Sequence, residues 1–523
     1  MVGMMKYPYG LRAMVLAATL AVPMAAGARE FTTMTYNVEN LFDADKVAIF
    51  EDYAETGEPN SYGPAKLLGK IRTITKVLQT VNDGSGPEIV SFNEIEMDFT
   101  PDSKVTDYAA FLEKYKGTTV DKMLTTQLNN EIRGLPSEAL LLKHLEDSGL
   151  KGYQVAIGQD QPDFAALAST DPKIHKKGQK NAFFSKFPIL ETRSHATPDA
   201  RDILEVKVDV DGHPLTVFVN HWKSGAGNPV SEPARRLNAK TLRERLDQIL
   251  AADPSADVLL AGDFNSQYNQ TQAYPFMGET GVNDVLGSQG DEKKTATATN
   301  FSLYNLWYEL PREQRGSDEF DGFWGTLMQD MITPGLYDYA GVQYVDNSFR
   351  VVKVDGVNTR TAMQVPRRWS NAGTGSGASD HFPVSARFRT VEDNDKVRRV
   401  ELVNPGTSDG TAEPIKVSFD QIKPDDVPVF TAAMGREKDE HFGEIFRVRG
   451  KITSRRPLTV EVEGAPYILW GQSPALGKRM RAYPRESTVE FLGQLNLHKG
   501  KVQFVVEDAS WLLKEPKPEK ESD

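Results

Sequence analysis

Residues 258–266 read Val-Leu-Leu-Ala-Gly-Asp-Phe-Asn-Ser. Val258 to Ala261 make a short apolar run of the kind that forms a buried strand. Gly262 ends the run and permits a close backbone approach. Asp263 and Asn265 follow two residues apart, and at an extended strand end that spacing sends both side chains the same way. A carboxylate there can polarise a water or hold a metal, and an amide can donate to a phosphate oxygen. Hydrolysis of a phosphate ester uses both. A lone Asp-x-Asn more often caps a strand as an Asx turn, so the weight falls on what ends the other strands.

The chain repeats the pattern. A predicted strand at 31–37 closes on Asn37, and one at 88–94 closes on Asn93 and Glu94. A strand at 215–220 runs straight into His221, Trp222, Lys223 and Ser224. Asn220, Lys223 and Ser224 beside that imidazole are phosphate-compatible donors. Asp330 lies in the apolar stretch 323–332, where a carboxylate needs a partner. A Gly/Ser/Asn-rich loop at 367–377 leads to the adjacent Asp380 and His381, just before a strand at 385–388. Taken singly, each has a plainer reading as a solvated carboxylate or a structural histidine.

The elements that must position these groups alternate between strand and helix. Pro64 opens a helix to about residue 80, with Leu67, Leu68, Ile71, Ile74, Val77 and Leu78 on one face. Further helices are predicted at 137–146 and 232–251. Strands are predicted at 153–157, 181–185 and 201–208, the last returning through an Asp211-Gly212 hairpin turn. Residues 97–135 read as an inserted, largely polar segment.

Length and composition bound the rest. A chain of 523 residues implies two or three domains. A net charge of -12 argues against a uniformly basic nucleic-acid coat but leaves room for a local basic face. There are no cysteines, which excludes disulfides, thiolate catalysis and Cys-ligated zinc. Any metal must then rest on oxygen and imidazole, which favours magnesium, calcium or manganese. Residues 1–28 carry the three parts of a signal peptide: Lys6 and Arg12, the apolar stretch 14–22, and Ala26-Gly27-Ala28. A secreted or periplasmic protein without a transmembrane segment is expected.

The ordered motifs Tyr-Asn-Val-Glu-Asn-Leu-Phe (36–42), Phe-Asn-Glu-Ile-Glu (92–96), Asn-His-Trp-Lys-Ser (220–224), Gly-Asp-Phe-Asn-Ser (262–266) and Ser-Asp-His-Phe-Pro-Val (379–384) resemble the endonuclease/exonuclease/phosphatase superfamily. Each motif is weak alone; five in order over 31–388 are specific. The resemblance implies a four-layer α/β sandwich of two packed mixed sheets, with the site at their shared edge. It implies a catalytic domain over 29–390 that cleaves phosphodiesters or phosphomonoesters with a divalent cation, usually magnesium. It implies Glu94 as main metal ligand, supported by Asn37 and Asp380. Asp263 would position or deprotonate the water, and Asn265 would hold a phosphate oxygen. His381 would sit on the phosphate, oriented by Asp330. His221 would serve as phosphate donor or general acid, paired with a carboxylate for which Asp202 is the candidate. The chain departs from the family pattern at Asn93, where many members have Gln, and around Asp330, where Met-Gln-Asp-Met replaces Arg-Ile-Asp-Tyr. The insert has no family counterpart.

After a linker at 391–442, five strands with one helix between the third and fourth predict a small OB-like barrel over 443–513. Lysine and arginine outnumber aspartate and glutamate there, and Tyr467, Trp470 and Phe504 could stack bases or pack the barrel core. Residues 514–523 form a charged tail. Trp222 and the barrel favour a polymeric substrate, so a monomeric nuclease acting on DNA or RNA is expected, with Lys223, Ser224 and Trp222 as substrate contacts. The alternatives are a lipid or small phosphoester hydrolase on the same fold, with 320–324 as the apolar contact, and a non-catalytic binding protein.

Overall fold

The computed structural model describes residues 29–50, 53–54, 62–100, 103–159, 164, 177–291, 302–360, 364–370, 375–391, 413–418, 422–498 and 501–517. The expected signal peptide lies outside these residues, as do most of the N-terminal half of the linker and the end of the tail.

Two seven-stranded sheets form the body of the chain before the C-terminal barrel. Across the first, the order is Gly341–Tyr344, Val384–Val391, Glu30–Leu41, Ile89–Glu96, Gln179–Ser185 and Gln154–Ile157, with Arg350–Val351 beside Val384–Val391. Across the second it is Ile189–His195, Ile203–Val210, His213–His221, Val258–Asp263, Met328–Ile332, Leu303–Asn305 and Ser288–Gln289. Each sheet holds parallel and antiparallel pairs: Glu30–Leu41 runs parallel to Ile89–Glu96, and His213–His221 parallel to Val258–Asp263. Both parallel pairs are buried on both faces, as strands covered on both sides must be.

Three apolar clusters separate the layers. Phe31, Phe183 and Phe388 of the first sheet meet Leu204, Val217 and Ala261 of the second between the sheets. The helices Pro64–Leu78 and Ser137–Asp147 cover the outer face of the first sheet. The 21-residue helix Glu232–Ala252 covers the outer face of the second through Leu242, Leu246 and Leu250. This is the expected four-layer sandwich. The insert forms three short helices, each started by a side-chain cap: Asp107, Thr119 and Asn129 accept from the backbone N–H three residues on. Phe111, Val120, Met123 and Ile132 bury into the outer cluster, so the segment thickens the helix layer.

The C-terminal strands Ile445–Arg455, Leu458–Val462, Ala465–Gly471, Thr488–His498 and Lys501–Val506 close into a barrel. The first strand pairs with the fourth and the third runs parallel to the fifth, with the helix Pro474–Arg481 between the third and fourth. Tyr467 and Phe504 pack in its core against Phe430, at ring separations of 5.3 and 4.8 Å. Of the three aromatics considered for stacking, Trp470 alone is exposed.

Residues 323–332, read as one stretch, divide in two. Phe323–Gly325 pairs back on Asp318–Phe320 as a hairpin, and only Met328–Ile332 joins the second sheet. Ile415–Lys416 adds a third strand to the hairpin. Among the described residues no helix is long and apolar enough to cross a membrane.

Candidate active site

The site forms where neighbouring strands of both sheets end on the same side. His221 and Asp263 are paired residues at the ends of parallel strands, and Asn220 pairs with Gly262 one step earlier. Gly262 has φ +139°, and a Cβ there would sit 2.0 Å from the Asn220 carbonyl oxygen. Only glycine allows these two strand ends to lie so close. Glu94 and Asn265 adopt the left-handed region, at φ 63° and 47°, which turns each side chain out of its strand's alternation.

Asp263 is the centre. Its Oδ2 accepts from Asn37 Nδ2 at 3.0 Å and stands 3.7 Å from His221 Nε2 and 3.6 Å from His381 Nε2. Asn37 Nδ2 also donates to Glu94 Oε1 at 3.1 Å. Glu94 Oε1 is 3.7 Å from His221 Nε2, and Asp380 Oδ1 is 3.6 Å from His381 Nε2. Asn265 is anchored by its Nδ2, which donates to the Trp222 carbonyl at 3.1 Å. Ser379 Oγ donates to the Asn37 carbonyl and accepts from the His381 N–H, fixing the last loop on the first strand. Glu94, His221, Asp263, Asn265, Asp380 and His381 line one cavity of about 820 Å³.

Burial and charge drive the two histidines apart. Burial, then the Arg201 guanidinium and His381, hold His221 well below the usual imidazole range. Burial opposes the charged form of His381 too, but the carboxylates of Asp380, Asp263, Asp318 and Glu94 overcome it and push His381 up to about 9. Near neutral pH one imidazole is thus a cation and the other is neutral. Such a split lets two neighbouring imidazoles play different parts, one as a charged proton donor and one as a neutral hydrogen-bonding group. Burial raises Asp263 above the usual aspartate range, against His381 and the Asn265 backbone N–H.

Several expected site residues lie elsewhere. Asp330 does not meet His381: it is buried between the sheets, where its Oδ1 accepts from Thr35 Oγ1 at 2.7 Å. Its place mid-strand, rather than at a strand end, is the reason. Asp318 is the carboxylate beside His381, at the base of the hairpin, where Phe382 N–H donates to the Ser317 carbonyl at 2.6 Å. Asp202 does not reach His221 but pairs with Lys177 Nζ at 2.9 Å; its neighbour Arg201 lines the cavity instead. Trp222 is fully buried, edge-on to Phe264 at 4.8 Å under the long helix, because residues alternate across a strand end and His221 takes the cavity side. Lys223 is not among the cavity residues, whereas Ser224 is. Sequence reasoning passed over Asp318 and Arg201. The Asp321-Gly322 pair, a hairpin-turn signal, marks the strand that carries Asp318; the arginine opening the alternating stretch at 203–208 had no such marker.

Among the described residues no group of three or more His, Asp or Glu side chains makes a ready-made metal cage. The donors still fit a hard cation. Asp380 Oδ1 is buried without a hydrogen-bond partner, Glu94 lines the same cavity, and Asn37 is spent on both Glu94 and Asp263. A divalent ion held by one or two carboxylates plus waters would suit this sparse set of oxygens.

Residues 170–390 match the model of the endonuclease/exonuclease/phosphatase family. Among solved structures, an endonuclease/exonuclease/phosphatase family protein from Bacteroides thetaiotaomicron is 14% identical at a TM-score of 0.37, covering 72% of this chain and 99% of its own. One from Leptotrichia buccalis is 12% identical at a TM-score of 0.38, covering 68% and 98%. A D. rerio TDP2 complexed with single strand DNA product is 14% identical at a TM-score of 0.36, covering 69% and 99%. No curated protein matches the sequence. The stretch 170–390, which holds His221, Asp263 and His381, is thus similar to the endonuclease/exonuclease/phosphatase family.

Proposed function

We propose that the protein is a divalent-metal-dependent phosphodiesterase acting on nucleic acid, exported by the signal peptide read in residues 1–28 and working as a monomer outside the cytoplasm. The observation that carries the hydrolase reading is Asp263 standing between two imidazoles, 3.6 and 3.7 Å away, in a cavity edged by Glu94 and Asp380.

Each group has a role its surroundings support. Glu94 and Asp380, with Asn37, would hold the cation; when bound, it supplies positive charge to the phosphate oxygens. Asp263 accepts the proton of the attacking water as the new P–O bond forms. Asn37 keeps that carboxylate oriented. Cationic His381 donates to the phosphate and returns a proton to the departing oxygen as its bond to phosphorus breaks. Asp318 and Asp380 keep His381 charged. Neutral His221 holds a phosphate oxygen through its N–H, with Asn265, Arg201 and Ser224 at the same cavity. Phosphoryl transfer needs little beyond such positioning and charge.

Phe320, 79% exposed at the hairpin beside the cavity, favours a second reading, a lipid or small phosphoester substrate. The deciding experiment offers supercoiled plasmid, RNA, sphingomyelin and a chromogenic phosphodiester in parallel. Plasmid nicked with magnesium, and left intact with chelator or with His221→Ala, is the expected result. Untouched plasmid and RNA beside rapid turnover of sphingomyelin would overturn the nuclease reading.

A further inference from the structure

The catalytic groups occupy only the inner end of the cavity. Its outer end is walled by Phe320, Phe323 and Trp324 of the hairpin and by Tyr274 facing in from the loop after Asn265. Phosphate chemistry asks for none of these rings. Phe320 is 79% and Phe323 37% exposed, and apolar rings left in water beside a cavity mark a surface that a ligand covers.

The wall is also held in place. Trp324 pairs with Ile415 and Phe323 with Lys416, Arg312 hydrogen-bonds the Glu413 carbonyl, and Trp324 lies under Lys353 at 4.5 Å and packs against the barrel core. Residues 413–416 lie beyond the family match, which ends at 390. The cavity is thus completed by a segment outside the matched stretch.

We infer that the outer end of the cavity is a binding site for a nucleobase, that of the nucleotide next to the bond being cut, with Phe320, Phe323 and Tyr274 as its stacking surface. The inference rests on the nuclease reading above. Flat rings suit a base, since every base offers a π-face to an aromatic side chain. Asn228, Asn269 and Gln267 line the same space, and their amides can meet a base edge but give nothing to an acyl chain.

The test is calorimetric titration of the full chain in magnesium with thymidine 5′-monophosphate, ribose 5-phosphate and phosphocholine. The nucleotide is expected to bind at least roughly tenfold tighter than the base-free sugar phosphate. Phe320→Ala with Phe323→Ala should erase that difference while leaving ribose 5-phosphate affinity within about twofold; both rings are solvent-exposed, and an unchanged melting curve confirms folding. Equal affinity for the two ligands in the wild-type chain, an advantage that survives in the double variant, or tighter binding of phosphocholine than of the nucleotide overturns the inference. Failure of the nuclease reading shows separately, as intact plasmid and RNA in the hydrolysis assay.

Discussion

The side chain of Asn93 joins the two sheets at Asp263: its Oδ1 accepts from the Asp263 backbone N–H at 3.0 Å. Its Nδ2 donates to the Asn220 carbonyl at 2.9 Å and to Asn181 Oδ1 at 2.8 Å. One buried amide thus ties the strand carrying Glu94 to the strand ends carrying His221 and Asp263. The residue that departs from the family pattern is the one that sets the distance between the expected metal ligand and the expected base.

Asn93→Ala would leave the Asp263 N–H and the Asn220 carbonyl buried without partners. Each such group costs about 1–3 kcal/mol. Urea unfolding should therefore show a loss of at least about 2 kcal/mol. Turnover should fall roughly a hundredfold or more, because a 1 Å shift of Asp263 is costly to catalysis. Full activity at reduced stability would show that Asn93 supports the fold but not the site.

Much of this site was legible in sequence because composition there switches from apolar to polar within a residue or two. For His221 and Asp263 the switch falls at the ends of their strands; for Asn37 and Glu94 it falls at register breaks inside strands that run on to Leu41 and Glu96. Asn37, Glu94, His221, Asp263, Asn265, Asp380 and His381 all announce themselves that way, and all seven converge here. Direction was not legible. Trp222 follows His221 by one residue and so faces the opposite side of the sheet, a parity the string of polar letters does not display. Asp330 shows the same limit: in an apolar strand it reads as a site carboxylate, yet its alternation points it between the sheets. Asp318 was hidden in a hairpin of three-residue strands, too short for periodicity to register.

Asp330 gives a stability prediction with a definite sign. Burial pushes its carboxyl up to about 7, with only Thr35 opposing. Because the folded pKa lies above the unfolded one, its stabilising contribution is complete below about pH 4 and is lost as pH rises through about 7. Asp330→Asn fixes the neutral form and keeps an acceptor for Thr35. The variant should match the wild type in urea at pH 4.5 and exceed it by at least about 1 kcal/mol above pH 8. Activity should stay within about threefold, since Asp330 does not touch His381.

The pH profile of turnover follows from the two central groups. Asp263 must be ionised and His381 charged, so the profile should be bell-shaped. Its acid limb should lie above the ordinary aspartate range and its alkaline limb near 9. His381→Gln should lower kcat and remove the alkaline limb. Stability moves with the same proton: the contribution of His381 is complete below about 6.5 and is lost as pH rises through about 9. An alkaline limb that persists unchanged in His381→Gln would assign it to another group.

The barrel yields the last prediction. Read as an independent polymer-binding module, its removal should spare small phosphodiesters. Its contacts say otherwise. Glu507 of the barrel pairs with Arg360 of the sandwich at 3.2 Å, with both side chains mostly buried, and Trp324 of the cavity wall packs on the barrel core. Phe430 and Val427, just before the barrel, are part of that core as well. Deleting residues 413–523 would strip the third strand from the hairpin and leave Arg360 without its carboxylate. Asp318, at the hairpin's base, is what stands beside His381. Turnover of a chromogenic phosphodiester should therefore fall at least roughly tenfold in the truncated chain, with the alkaline limb displaced downward as His381 loses part of its carboxylate support. Undiminished turnover with an unmoved limb would show that the hairpin keeps its place without the barrel.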